Sequence, residues 1–267
     1  MKRFLLYIIL TIFGLIVIFP FLWMLYTSFK PEHKALSLTI SFRDFTIENF
    51  VKIIRNYSFG RYFLNSLIVS TLSGFFATLF AALAAYPLAR KSFFLKRELT
   101  FLFLSSMMIP GLMYMIPQYV IVSKLGWINT YKGLIIPHLA NVFGMFLLMQ
   151  YYKTLPDAIF EAAQIDGASD LRIFLRIVIP LSLPVLLTCF LLTFQFHWNN
   201  FLWQLIVTTD EKMYTVPVGL AMFRSAHEEM FALKMAASTL SIIPISILFI
   251  VAQRYFIEGI TSGAVKG

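Results

Sequence analysis

Charge is scarce in this chain. Only 13% of its 267 residues are charged, about half the share found in an ordinary soluble domain, and so few charges cannot keep a folded surface wet. Acidic residues are the scarcest: 13 Asp and Glu stand against 22 Lys and Arg, leaving a formal charge of +9. A single cysteine, Cys189, makes no internal disulfide and excludes an oxidised, cross-linked scaffold. It lies in an apolar run and reads as a small buried hydrophobe. No G-x-x-x-x-G-K-[ST] stretch is present, so the chain lacks a P-loop and is expected to hydrolyse no ATP itself. The histidines His33, His138, His197 and His227 are dispersed without a ligand spacing such as H-E-x-x-H. Neither a metal site nor a catalytic residue is expected, and no cofactor bound by this chain.

What the chain has instead is apolar length, with 59% of its residues hydrophobic. A hydrocarbon core of roughly 30 Å needs about 20 helical residues to cross it. Uncharged runs of that order fall at 4–29, 63–89, 99–123, 133–152, 181–209 and 235–253. The expectation is an all-α polytopic membrane protein with six transmembrane helices. The basic start, Met1-Lys2-Arg3, resembles a signal peptide, but the run behind it is too long for an h-region and has no small-residue cleavage pattern, so it is kept as the first span. None of the six runs contains Asp or Glu, which leaves an ion-driven secondary transporter without its coupling carboxylate. A membrane enzyme would need a convergent acid, base or metal set, and none is visible. The basic residues are scattered between spans, where they serve topology and lipid headgroups rather than nucleic acid.

Six spans put both termini on one side. The basic residues divide evenly between the sides, but Arg90, Lys91, Lys96 and Arg97 crowd one short loop, and such density near span ends marks the cytoplasm. On the other side, Ile47, Phe50, Val51 and Ile54 recur at helical spacing behind Thr46, which can cap. That pattern predicts a short helix on the membrane surface. Pro20, Pro87, Pro110, Pro117, Pro137 and Pro244 fall in or at the ends of spans, where neighbouring helices can satisfy the freed carbonyls.

The informative interruption is residues 154–180, which read as two short helices joined by a turn. Thr154 can cap the first, Pro156 stands in its opening turn, and Asp157 suits its dipole. Gly167 can take the left-handed conformation that ends it. Ser169 can cap the second, in which Leu171, Phe174, Leu175 and Val178 form an apolar stripe while Arg172 and Arg176 share the other face and call for an anionic partner. Ala162 and Ala163 leave a flat surface beside the charge of Glu161, suited to close approach by another protein. The bland alternative is an amphipathic connector resting on the inner leaflet.

Glu161-Ala162-Ala163, Asp166-Gly167-Ala168, Phe174 and Ile179-Pro180-Leu181 resemble the EAA loop of ABC importer permeases, including its glycine and terminal proline. Segment 45–54, Asn65-Ser66, the stretch 125–130 and the ending 259–267 extend the likeness to the carbohydrate-uptake branch of that family over nearly the full length. The resemblance implies a type I importer (MetI-like) fold, divided into a first helix with an extracytoplasmic amphipathic segment (1–60), a core permease domain (61–257) and a cytoplasmic tail (258–267). It implies a multi-pass protein of a bacterial or archaeal inner membrane, both termini cytoplasmic, that translocates a sugar or another small solute such as glycerol phosphate. Implied partners are a second homologous permease, two ABC ATPase subunits that use ATP and Mg, and an extracytoplasmic sugar-binding protein. Glu161, Ala162, Ala163, Asp166, Gly167 and Ala168 would seat the loop in an ATPase cleft, and Gly263, Val265 and Lys266 would carry the tail into the interface of the two ATPases.

The run 181–209 holds an unusual polar and aromatic group, Gln195-Phe196-His197-Trp198-Asn199-Asn200 with Trp203 and Gln204. Polar groups at membrane depth face a bundle interior or a cavity. Amides can bond sugar hydroxyls, and Trp rings can cover sugar faces. On continuous helical spacing His197, Asn200 and Gln204 share one face, and with Gln195 and Asn199 they form a candidate substrate path. Tryptophans near the outer interface also serve as anchors alone.

Overall fold

A computed structural model describes residues 2–41, 43–222 and 230–264, apart from the side chains of Lys2, Ala252 and residues 254–264. Every regular element among the described residues is helical, as the composition predicts. The first helix, α1 (Lys2–Ser28), is exposed over most of its length from Arg3 to Leu22, is buried only at its end, at Thr27 and Ser28, and lies against the last, α14 (Phe231–Ala264). An apolar helix open all round belongs in lipid. After it, Glu32 accepts the backbone N–H groups of Ala232 and Leu233 at 3.2 and 3.3 Å, placing a carboxylate on the positive end of α14. The short helix α2 (Glu48–Asn56) is pinned to the end of α1 by Asn49, whose amide donates to the carbonyls of Ser28 and Lys30, both at 2.8 Å. Thr46 accepts the N–H of Glu48 at 3.1 Å, although Ile47 holds the cap position. Of the expected apolar face, Ile47, Val51 and Ile54 are exposed, whereas Phe50 packs half-buried against the core that Ile53 enters.

The long helix α3 (Phe59–Arg90) is the mast of the bundle. Its buried side is built of small residues, Ser66, Ser70, Ser73, Gly74, Ala77, Thr78, Ala81, Ala82 and Ala85, which let neighbouring backbones approach where burial against lipid offers no driving force. Against it pack α7 (Val142–Thr154) and α11 (Leu183–Asn199). These two approach so closely that a Cβ on Gly144 would lie 2.5 Å from the Cys189 sulfur. Between α3 and α7 come α4 (Lys96–Ser106), α5 (Gly111–Lys124) and α6 (Tyr131–Ile135). Beyond α7 lie α8 (Asp157–Ile165), α9 (Asp170–Ile173) and α10 (Ile179–Leu181), and after α11 come α12 (Leu202–Val207) and α13 (Val216–Met222).

Three helices are long and apolar enough to cross a membrane alone: Arg3–Ser28, Phe59–Arg90 and Phe231–Val251. The predicted spans at 99–123 and 133–152 are broken, and a third bent pair joins the end of the 154–180 segment to the run that begins at 181. Lys96–Ser106 and Gly111–Lys124 meet at 97°, Tyr131–His138 and Val142–Thr154 at 43°, and Asp170–Leu181 and Leu183–Asn199 at 79°. Counting each bent pair once gives six. Pro110 stands at the first break, where its missing N–H and the restriction it places on Ile109 stop α4 from continuing. The run 181–209 is likewise not one helix: α11 stops at Asn199, and α12 begins only at Leu202. At the C-terminus α14 passes through the boundary drawn at 257/258 and remains helical to Ala264.

Candidate functional site

The turn between α8 and α9 is made by hydrogen bonds that use up the last carbonyls of α8. Asp166 N–H donates to Ala162, Gly167 N–H to Gln164 at 3.0 Å, and Ala168 N–H to Ala163 at 2.9 Å. Gly167 sits at φ +74°, and a Cβ there would meet nothing within 4 Å. Its role is therefore backbone conformation, which costs other residues roughly 1–2 kcal/mol. Phe160 and Ala163 point inward, into a core with Ala85, Tyr86, Ile173 and Phe174. Glu161, Ala162, Gln164, Ile165 and Asp166 point outward. Glu161 has no hydrogen bond or ion pair among the described residues, and Ile165 is 86% exposed. The outer side of α8 thus presents a carboxylate beside an exposed isoleucine and an exposed alanine.

Some local details differ from the expected ones. Thr154 ends α7 and donates to the Tyr151 carbonyl at 2.8 Å rather than capping α8, because Pro156 holds that cap. Ser169 does cap α9, accepting from the N–H of Arg172 at 3.4 Å. The second helix turns into a π-helix over Phe174–Val178. Pro180 has no N–H to offer, and the wider register, with Ile179 N–H on the Phe174 carbonyl, absorbs the mismatch. This rotation rearranges the predicted stripe: Ile173, Phe174 and Val178 are buried, while Leu171 and Leu175 are exposed at 63% and 55%. Arg172 and Arg176 remain outside.

The polar group of the fifth span is split in two by the break at Asn200. His197 and Gln204 are each 2% exposed, and Gln204 uses its whole amide within the protein: Nε2 donates to the His197 carbonyl at 2.8 Å, and Oε1 accepts from the Thr215 hydroxyl. Trp198 and Trp203 are also buried, their indole N–H groups on the carbonyls of Ser241 and Gly133 at 3.1 Å. His197, Asn200 and Gln204 thus do not form one continuous helical face. Asn200 instead accepts the N–H of Trp203 at 3.2 Å and starts α12. Gln195 and Asn199 are exposed, without a side-chain hydrogen bond among the described residues, and with Asn200 they border a cavity of about 660 Å³. Its other walls include Tyr114 and Gln118 of α5, His138 and Phe196. Gln118 donates to the Pro137 carbonyl at 3.1 Å.

The tail residues Val265 and Lys266 lie outside the described residues, as does His227, and Gly263 is placed only as part of α14. Among the described residues no cluster of His, Cys, Asp or Glu could hold a metal ion. Two groups escaped sequence reasoning. Arg90 and Lys91 served there only to orient the chain, yet they hold the α8–α9 turn: Arg90 pairs with Asp157 at 2.5 Å, and Lys91 pairs with Asp170. Tyr114, Gln118 and His138 meet the α11 amides only because α5 and the turn before α7 fold back beside them. No short-range pattern could have found the second group, whereas the Arg90-Lys91 pair facing Asp157 and Asp170 was a charge match open to inspection.

A family model described as "Binding-protein-dependent transport system inner membrane component" matches residues 77–262. The chain is 35% identical to the trehalose/maltose transport system permease protein MalG of Thermococcus litoralis, over 100% of this chain and 98% of that one. It is 35% identical to the arabinooligosaccharides transport system permease protein AraQ of Halalkalibacterium halodurans, over 94% of this chain and 92% of that one. A crystal structure of a bacterial ABC transporter involved in the import of the acidic polysaccharide alginate superposes with a TM-score of 0.87, covering 96% of each chain at 23% identity. That likeness speaks for the fold.

Proposed function

Because the chain belongs to the family of inner membrane components of binding-protein-dependent transport systems, a multi-pass permease family, we propose that it carries a sugar across the membrane as one of two related permease subunits. Two ATPase subunits, using ATP and Mg, drive it from the side of the α8–α9 turn, and an extracytoplasmic binding protein delivers the sugar on the other. Both termini are cytoplasmic in this arrangement. The sugar assignment draws on relatives named for trehalose/maltose and arabinooligosaccharides, and the broken spans supply a frame whose halves can tilt against each other.

The observation that carries the coupling role is the unpaired, outward Glu161 on a helix whose opposite side is locked into the core by Phe160 and Ala163. A partner's cation can pair with Glu161 while Ala162 permits close approach and Gly167 holds the turn. Asp166 and Ala168 complete the seat. Gln195, Asn199 and Asn200 are the path residues of this reading, their amides offered to sugar hydroxyls beside the rings of Tyr114 and Phe196. An exposed, unbonded amide is costly in hydrocarbon, which favours a wet cavity as their setting. His197 and Gln204 act from behind, as its support. The tail residues Gly263, Val265 and Lys266 reach toward the ATPase interface.

Glu161→Ala and Gly167→Pro, each reconstituted with all partners in liposomes, should abolish sugar-stimulated ATP hydrolysis while the chain remains inserted. Stimulation kept at the parent level in both would refute the coupling assignment.

A further inference from the structure

Arg90 and Lys91 are adjacent at the end of α3, yet they reach opposite limbs of the same turn. The Arg90 guanidinium pairs with Asp157, the first residue of α8, at 2.5 Å and also donates to the Leu155 carbonyl. It lies over the Phe160 ring at 4.3 Å, with its side chain only 11% exposed. Lys91 pairs with Asp170, the first residue of α9. One turn back along α3, the Tyr86 ring packs on Phe174 with centroids 5.4 Å apart. The last turn of the mast therefore grips the limb before the α8–α9 turn and the limb after it.

The connection from the same turn into α11 is of another kind. It runs through the π-turn Phe174–Val178, past Pro180, which has no N–H, and around a 79° bend at Ser182. Wider-register turns and prolines are where helices bend, so this junction is the compliant one. The Nε of Arg90 is moreover buried without a partner among the described residues, a cost that an apolar residue of similar length would avoid. Packing alone does not explain an arginine here.

We infer that Arg90 and Lys91 are positioning residues for energy coupling: they make α3 and the α8–α9 turn one rigid body, so that ATPase motion is delivered to the membrane through α3, with α11 following at its hinge. This rests on the coupling role proposed above for α8.

The test uses the full transporter in liposomes and reads sugar imported per ATP hydrolysed, a ratio that poor assembly leaves unchanged because it lowers both quantities together. Arg90→Met and Lys91→Asp should each reduce the ratio at least fivefold, and the exposed pair Lys91→Asp/Asp170→Lys should return it to within twofold of the parent. Gly167→Pro runs beside them. A ratio lowered by Gly167→Pro but unmoved by Arg90→Met and Lys91→Asp overturns the clamp and leaves the coupling role of α8 standing. A ratio unmoved by all of them overturns both. Failure of the exchanged pair to restore what Lys91→Asp removes reduces Lys91 to a packing role and overturns its part in the clamp.

Discussion

Glu161 on α8 projects outward with no partner among the described residues, whereas Gln204 on α12 is 2% exposed and has both ends of its amide engaged, by the His197 carbonyl and the Thr215 hydroxyl. The sequence marks both as polar exceptions in an apolar chain. The difference lies in the solvent each would meet. A carboxylate at the aqueous end of the bundle can stay unpaired at little cost, while an amide inside the bundle must be bonded or lose the free energy of its hydration. Being polar therefore does not make a residue a contact residue. Gln195 and Asn199, on the same stretch as Gln204, have no side-chain hydrogen bond among the described residues and border a cavity, and they stand with Glu161 on the open side of the comparison.

The contrast can be broken by substitution. Gln204→Leu should cost the most, about 2–4 kcal/mol, since it strands the buried Thr215 hydroxyl and leaves the His197 carbonyl with only the N–H of Asn200 at 3.3 Å. A lowered midpoint of thermal unfolding in detergent is the readout, and a midpoint equal to the parent's would mean that Gln204 belongs with the open group. Gly167→Ala should cost roughly 1–2 kcal/mol through its positive φ alone, confined to the turn and seen as faster amide exchange over residues 161–170. Asn199→Ala should leave stability within about 0.5 kcal/mol while raising the KM for sugar several-fold in transport assays. If it lowers the unfolding midpoint as much as Gln204→Leu, the two groups are not distinct.

The smallest effect concerns the outer surface. The Tyr62 hydroxyl donates to Glu211 at 2.7 Å and, together with the Ser58 hydroxyl, holds the Glu211 carboxyl below its ordinary value of 4.5. A carboxyl lowered in the folded state adds stability that is complete above its unfolded pKa and is lost as pH falls through the folded one. Tyr62→Phe should therefore weaken the protein slightly at pH 7, and its deficit against the parent should shrink as pH falls below about 4.5. A deficit constant from pH 7 to pH 3.5 would show that this contact is not charge-assisted.

Much of this was legible in the order of residues. The outward Glu161 and the glycine that ends α8 follow from spacing and turn chemistry, because both are decided within a few residues of chain. The breaks within spans were signalled less well. Pro110 did break its span sharply, but Pro87 lies within the last turn of α3, and Pro20 lies within a helix that runs on to Ser28. Whether a proline bends a span depends on which neighbours take up the freed carbonyls. The stripe on α9 went astray because its 3.6-residue period does not survive a π-turn.

The sequence by itself determined that the chain is helical and lives in a membrane, since 59% hydrophobic residues in long uncharged runs admit no other way of satisfying the backbone. It also singled out the polar, alanine-flanked helix between spans, which has no apolar core to join on its outer side, as the turn for which a partner protein is proposed. Only the tertiary structure decided which amides of the fifth span are buttress and which are open, and that the basic pair closing α3 clasps the turn some 65 to 80 residues away. Long-range pairing is set by how α7, α11 and α3 pack through their small residues, and that close packing is a property of the assembled bundle that no single segment carries.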